Sequence, residues 1–201
     1  PRVAALLLAA GQSRRMGAVN KLLADVGGEP MVARAGRALL ASQARPAIAV
    51  TGHEAERVAR ALAGLEIATV HNPDYTAGLA TSLKAGLAAL PEDIDGAIVC
   101  LADMPAVGAE VLDRLIAAFN PLEGRAICLP TWQGKRGNPV LFARRFFPEL
   151  MTVSGDLGGR GVIGQNQELV AEVPMPDNAV LVDIDTPDAL AAVNAESERR
   201  A

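Results

Sequence analysis

The chain has 201 residues, with 19 Lys and Arg against 23 Asp and Glu, for a net charge of −4 at pH 7. That length suits one good-sized domain spanning residues 1–201, and the charge balance argues against the basic face on which non-specific nucleic-acid binding rests. Hydrophobic residues make up 50% and aromatics only 3%, so the core must be built from Ala, Val, Leu and Ile, as in α/β proteins with buried parallel strands.

In chain order, the seven apolar residues Val3–Ala9 read as a buried strand, since strands run about four to eight residues. A small-residue loop follows, carrying Gly11, Ser13 and Gly17 with Arg14, Arg15 and Lys21 interleaved. Residues 30–42 read as a helix, 47–51 as a strand, 53–62 as a helix and 66–70 as a strand. After a loop at 71–78 come a helix from about 81 to 89, a turn at 91–96 and a fourth strand at 97–101. Residues 109–119 form an amphipathic pattern with Val111, Leu112, Leu115, Ile116 and Phe119 inward, stopped by Asn120-Pro121. Strands are expected at 125–129 and 138–143, where Pro139 marks an edge or the start of a strand, and again at 169–173 and 179–184. Helices are expected at 144–150, 158–165 and 187–198. Strand and helix thus alternate, which implies a mostly parallel sheet with helices on both faces. In such sheets ligands bind beyond the carboxyl ends of the strands.

Cys100 and Cys128 lie in apolar runs and read as buried thiols of a reducing compartment. No apolar run approaches the ~18 residues of a membrane span. The start, Pro1-Arg2-Val3, does not read as a charged-then-apolar leader. The expectation is a cytoplasmic protein with no membrane partner. His53 and His71 are the only histidines, too few for a histidine metal site.

The polar residues cluster where that rule places them. Backbone N–H groups in the 11–17 turn suit an anion, and arginine and lysine suit phosphate, so a nucleoside triphosphate is the simplest ligand. Asp103 follows the strand 97–101 directly, as a natural Mg²⁺ ligand would. Asp183 and Asp185 close the apolar run LVDID; alternation along a strand would send them to opposite faces, leaving one for the site. Asp185 before Thr186-Pro187 also fits a helix N-cap. Gly78, Thr81, Ser82 and Gly86 surround a helix start, whose N-terminus favours negative charge; Thr81 or Ser82 would equally serve as its cap. The loop 133–138 carries Lys135 and Arg136. The segment 154–161, SGDLGGRG, offers Asp156 and Arg160 before a helix, and reads either as a mobile surface loop or as a place for an anionic acceptor.

The segment L-A-A-G-Q-S-R-R-M-G-A-V-N-K, from Leu8 to Lys21, resembles the signature loop of the MobA-like nucleotidyltransferases, and within them is most similar to the molybdenum cofactor cytidylyltransferases. It is neither a Walker A loop nor a G-x-G-x-x-G fingerprint. Leu101-Ala102-Asp103-Met104-Pro105 resembles the family's L-x-D-x-P segment, Gly78 to Gly86 its base-and-ribose segment, Ser154 to Gly161 its G-D-x-G-A-R element, and Asp183 to Asp188 its D-I-D-T-P-x-D segment. Where relatives often carry G-H-P-V, this chain has Gly137-Asn138-Pro139-Val140 and lacks the histidine.

The resemblance implies a Rossmann-like three-layer α/β/α fold of the nucleotide-diphospho-sugar transferase type. It implies that CMP passes from CTP to the phosphate of molybdenum-loaded molybdopterin, releasing pyrophosphate. Nucleotide contacts would come from Leu8, Ala9, Ala10, Gly11, Ser13, Gly17, Lys21, Gly78, Thr81, Ser82 and Gly86. Arg15, Lys21 and Asp103 would be catalytic, Asp103 and Asp185 would hold Mg²⁺ or Mn²⁺, and Asn138, Asp156 and Arg160 would meet the acceptor. Ala10, where the guanylyltransferase branch has a second glycine, and Thr81-Ser82 point to cytosine. The rivals are that guanylyltransferase branch, a sugar-phosphate or methylerythritol-phosphate cytidylyltransferase, and a non-catalytic carrier that hands the cofactor to a molybdoenzyme.

Overall fold

The run Val3–Ala9 forms β1, buried at every position, because apolar side chains on both faces of a strand require cover on both. The computed structural model describes residues 1–17 and 19–200, and of Arg200 the backbone only. β1 lies parallel to β4 (Ala47–Thr51) on one side and to β6 (Gly96–Leu101) on the other. Beyond β4 lies the edge strand β5 (Ala68–His71), also parallel. On the far side β9 (Val140–Ala143) runs antiparallel between β6 and β7 (Ile127–Trp132), and β10 (Val170–Pro174) closes that edge parallel to β7. The order is β10-β7-β9-β6-β1-β4-β5, with the short β8 (Lys135–Arg136) paired to β7 as the eighth strand.

Helices cover both faces. α1 (Met31–Ala41) touches β1 and β4 and neighbours α2 (Ala55–Ala61) and α4 (Ala109–Ala118), whereas α3 (Leu79–Ala88) packs on β1 and β4 and neighbours α5 (Phe147–Leu150). α6 (Arg160–Gln165) and α7 (Pro187–Arg200) follow late in the chain. The result is the expected three-layer α/β/α arrangement around a mostly parallel sheet. Gly86 makes the contact of α3 with the sheet possible: a Cβ there would lie 3.1 Å from Leu6 and Val50 side chains. On α4, Leu112, Leu115 and Phe119 are buried, with Val111 and Ile116 partly so. Both cysteines are free and buried, and burial pushes their thiols up to about 12 for Cys100 and about 11 for Cys128. Among the described residues no helix is long and apolar enough to cross a membrane.

The largest departure is at 179–184, expected as a strand. It forms a 3₁₀ turn, Ala179–Leu181, followed by irregular backbone. Asp177 sets the turn by accepting the Ala179 N–H at 2.9 Å. The Val180 carbonyl then accepts the Asn138 N–H instead of a ladder partner, passing so close to Gly137 that a Cβ there would sit 2.1 Å away. Val180 and Ile184 are still buried, so the apolar pattern reflects burial without pairing. Pro139 marks the start of β9 and not an edge, since β9 is flanked on both sides. Two small hairpins went unread. β2 (Asp25–Val26) and β3 (Glu29–Pro30) turn through Gly27 and Gly28, both at positive φ, and β7–β8 turns through Gln133 and Gly134, also at positive φ.

Candidate active site

Leaving β1, the chain moves toward β4; leaving β6, it moves toward β7 on the opposite side. Adjacent strands whose connections diverge leave a crevice at their carboxyl ends. A cleft of about 490 Å³ opens there. The first loop forms one wall, Tyr75–Leu79 the second, and Leu101 with Asp103 the floor.

The loop is closed at its neck. Ser13, at φ 54°, presents a hydroxyl that accepts the Lys21 N–H at 3.2 Å and lies 3.5 Å from Asn20 Oδ1. Asn20, 4% exposed, accepts the Leu22 N–H at 3.0 Å and so starts the 3₁₀ turn Lys21–Leu23. Its buried Nδ2 is directed at Glu54, whose carboxyl is held below its usual value first by Arg57 and in small part by Asn20. This neck aims Lys21 inward. Its ammonium lies 2.9 Å from Asp103 Oδ2 and 2.7 Å from Asp185 Oδ1.

Asp103 sits on a turn held from three directions. Ala102 N–H donates to the Leu8 carbonyl, Met104 N–H to the Leu101 carbonyl, and Arg34 Nε to the Pro105 carbonyl at 3.1 Å. Ile184 N–H donates to the Asp103 carbonyl at 2.9 Å, which brings the 183–185 segment alongside. α7 then returns to the β2–β3 hairpin, where Asn194 Oδ1 accepts the Gly27 N–H and its Nδ2 donates to the Asp25 carbonyl.

Ligand atoms of Asp103, Asp183 and Asp185 all lie within 4.8 Å of one another. The expectation that Asp183 and Asp185 point apart is therefore wrong. It assumed strand alternation, and the segment is not a strand. Nor does Asp185 cap α7: the Thr186 hydroxyl accepts the Ala189 N–H. Three carboxylates at this spacing form a hard oxygen set of the kind Mg²⁺ or Mn²⁺ takes. Asp183 is the residue that the sequence reading set aside.

The charges are interdependent. Burial pulls the Lys21 ammonium down, but the charges of Asp103 and Asp185 and its hydrogen bonds to both outweigh this and hold it above the ordinary lysine value. The hydrogen bond with Asp183, then that from Lys21, holds Asp185 below the usual carboxylate range. Asp183 is raised by the same hydrogen bond, by burial and by the charges of Asp185 and Asp103. In that pair Asp183 keeps its proton to higher pH than Asp185.

Of the other expected site residues, Leu8, Ala10, Gly11, Ser13, Gly78, Ser82 and Asp156 line the cleft. Ala9 is buried in β1, and Gly86 lies in the packing of α3 on the sheet. Gly17, Arg15, Thr81, Asn138 and Arg160 are not part of the cleft lining; Arg14, stacked back onto Gln12 through two hydrogen bonds, is. Arg15 acts on the site at longer range, as a charge that helps lower Asp185. The Thr81 hydroxyl is engaged by Asn72 Nδ2 and by the Asp74 and Gly78 carbonyls, and Ser82 accepts from the same Asn72. Neither caps α3. That helix begins at Leu79, whose N–H is taken by Asp156 Oδ1 at 3.1 Å, while the Ala80 N–H goes to the Gly155 carbonyl. Tyr75, Thr76, Ala77 and Leu79 went unnoticed because lining by a loop demands no particular side chain.

A family model described as the MobA-like NTP transferase domain matches residues 5–170. Nicotine blue oxidoreductase of Paenarthrobacter nicotinovorans is 30% identical over 192 residues, covering 92% of this chain and 93% of that protein. The bifunctional protein GlmU of Leifsonia xyli subsp. xyli is 36% identical over 122 residues, 59% of this chain and only 25% of that much longer protein. Among solved structures, the homologue of Mycobacterium tuberculosis Rv0371c from Mycobacterium sp. strain JC1 superposes with a TM-score of 0.85 at 26% identity, over 100% of this chain and 98% of that one. Rv0371c itself, solved in complex with manganese, gives 0.79 at 24% over 97% and 99%. A nucleotidyl transferase from Methanothermobacter shares the fold at 0.87 and 22%, over 100% and 99%. With five-sixths of its length matched by that model, the chain belongs to the MobA-like NTP transferase family and is a nucleotidyltransferase.

Proposed function

We propose that this protein transfers CMP from CTP to the phosphate of molybdopterin already carrying molybdenum, in the cytoplasm. The observation that carries the reading is Lys21, which lines the cleft with Asp103 and residues 10–14 of the first loop and spans Asp103 and Asp185, the latter outside the lining. An oxygen of the acceptor phosphate attacks the α-phosphorus, a new P–O bond forms, the bond to the β-phosphate bridging oxygen breaks, and pyrophosphate leaves. Such a reaction asks for positioning and charge neutralisation more than for a nucleophilic side chain. Lys21, with Arg14 and Arg15 nearby, offsets charge on the triphosphate and the departing pyrophosphate. Asp103, Asp183 and Asp185 would hold Mg²⁺ or Mn²⁺, which when bound supplies Lewis-acid polarisation of a phosphoryl oxygen. The manganese bound by the Rv0371c neighbour supports that assignment. Ala10 and Ser82, both lining the cleft, favour cytosine by resemblance. Asn138 and Arg160 lie apart from the cleft lining, so the acceptor would meet Asp156 first.

Calorimetric titration with CTP, GTP, ATP, UTP and reduced nicotinamide dinucleotide, with and without Mg²⁺, tests this. A preference for CTP of tenfold or more, about 1.4 kcal/mol, that disappears in Asp103→Ala supports the reading. A preference for GTP moves the chain to the guanylyltransferase branch. Binding of the nicotinamide dinucleotide above every triphosphate turns attention to the chemistry named for the Paenarthrobacter relative. No binding at all leaves a pterin carrier.

A further inference from the structure

The chain leaves for the first loop at Ala10 and returns from it at Asn20, and both points are tied to one short turn. That turn, residues 52–54, carries the chain from β4 into α2. On the outgoing side the Ala10 carbonyl accepts the His53 N–H at 3.2 Å. Gly52 lets the two segments close up, since a Cβ there would sit 2.8 Å from that of Ala10. On the returning side Asn20 is buried, with its Oδ1 accepting the Leu22 N–H and its Nδ2 directed at Glu54. Glu54 has a φ of 49°, in the left-handed region that residues with a β-carbon rarely adopt. It immediately precedes α2, yet its side chain takes no N–H of that helix. Its carboxylate instead faces Arg57, its ion-pair partner, His53 Nε2 at 3.3 Å, and Asn20. Glycine would meet the same backbone demand with less strain, so what glutamate adds at this position is the carboxylate. Of its three partners, Asn20 alone lies outside the turn and α2. Without that acceptor the buried Asn20 amide would carry an unpaired donor, and turning to satisfy it would give up the bond to Leu22 that starts the Lys21–Leu23 turn.

We propose that Glu54 is a positioning residue: acting through Asn20, it holds the returning end of the first loop so that the Lys21 ammonium stands in the cleft. The holding of the loop rests on geometry alone. Its consequence for a bound triphosphate rests on the nucleotidyl-transfer reading above.

Hydrogen exchange of the full chain, followed amide by amide by nuclear magnetic resonance without any ligand, tests the first part. Glu54→Gly suits the left-handed backbone and so keeps the turn while removing the carboxylate. It should speed exchange at the Lys21 and Leu22 amides roughly tenfold, the scale of losing one hydrogen bond, and leave the Val50 and Val58 amides as they were. Glu54→Gln, which still offers Asn20 an oxygen, should keep wild-type exchange. Asn20→Asp sets a second carboxylate against Glu54 and should loosen the same two amides; adding Glu54→Gln supplies an amide donor and should restore them. A role confined to α2 would give no such rescue. Calorimetry with inorganic tripolyphosphate and Mg²⁺ tests the second part: Glu54→Gly should weaken binding about fivefold, and should weaken it no further in a Lys21→Met background. Unchanged exchange at Lys21 and Leu22 in Glu54→Gly, or no rescue of Asn20→Asp, overturns the proposal. Loosened amides with unchanged tripolyphosphate binding overturn the link to Lys21. Wild type that binds neither tripolyphosphate nor any of the four nucleoside triphosphates overturns the transfer reading, while the exchange results still decide the role of Glu54.

Discussion

Two glycine-bearing loops face the same cleft, and they behave differently. The first, after β1, carries Gly11, Ser13 and Gly17 among arginines; the second, residues 154–159, carries Gly155, Gly158 and Gly159 around Asp156. In sequence both have the texture of an anion cradle. In the structure they differ in where their polar groups go, although a Cβ at Gly155 of the second would meet as little as one at Gly11 of the first. A Cβ added at Gly11 meets nothing within 4 Å, and the cations Arg14 and Lys21 look into the cleft. The second loop is committed to the protein. Its Asp156 carboxylate and Gly155 carbonyl take the Leu79 and Ala80 N–H groups, so the N-terminus of α3 already has its anion. Glycine content says that backbone comes close to something. Accounting for each donor and acceptor says whether that something is a ligand or the protein itself.

The contrast makes predictions that differ between the two loops. Lys21→Ala and Asp103→Ala, in the first loop and opposite it, should each lower the rate of pyrophosphate release by roughly 10²-fold or more, the scale of removing a key electrostatic group; near-normal turnover would remove that residue from the mechanism. Next come the glycines. Gly78 sits at φ 113°, and a Cβ there would lie 2.8 Å from the Gly155 carbonyl oxygen. Gly78→Ala should cost about 1–3 kcal/mol of stability by urea denaturation. Gly11→Ala should leave the urea midpoint unchanged and weaken nucleotide binding, roughly tenfold by calorimetry, or about 1.4 kcal/mol. If the two effects came out reversed, the second loop would be the ligand's and the first the scaffold's. Asp156→Ala removes a helix cap and should cost about 1 kcal/mol, with CTP affinity changed less than stability.

The smallest effect concerns acid. Asp185 is held below the usual carboxylate range, so its stabilising contribution is fully present above the unfolded value of about 3.9. It is lost as pH falls through the lower native value. Asp185→Asn should flatten that acid limb of a melting-temperature profile; an unchanged limb would show that the hydrogen bond with Asp183 and the ion pair with Lys21 together add nothing to stability.

How much of this was legible depended on what the pattern encoded. β1, β4 and β6 were readable because a strand buried on both faces is a continuous apolar run, and α4 because burial on one face leaves a helical period. The run at 179–184 carried the same apolar signal, yet Asp177 and the close passage over Gly137 made it a turn. That misreading propagated to the site: period-two reasoning discarded Asp183, which the irregular backbone brings in beside Asp185 and Asp103. Gly27-Gly28, both at positive φ, is the sequence signal of the β2–β3 hairpin. Choosing between Arg14 and Arg15 was beyond sequence reasoning, because neighbouring residues on a 3₁₀ turn diverge in directions that no periodicity announces. Asp103 was legible for a physical reason: a carboxylate two residues past the end of a buried strand must stand at the sheet's carboxyl edge.

Asp103 follows Lys21 by 82 residues and Asp185 by 164, while the matched family segment stops at residue 170. A ribosome adds about 5–20 residues per second. For the several seconds between Asp103 and Asp185 leaving it, the nascent chain gains the second half of its sheet while Lys21 has only one of its two carboxylate partners. Asn194, last to arrive, ties the tail to the hairpin just past Lys21. On the proposed reading the site is thereby completed late in biogenesis, and a chain broken off near residue 170 should lack two of the three clustered carboxylates.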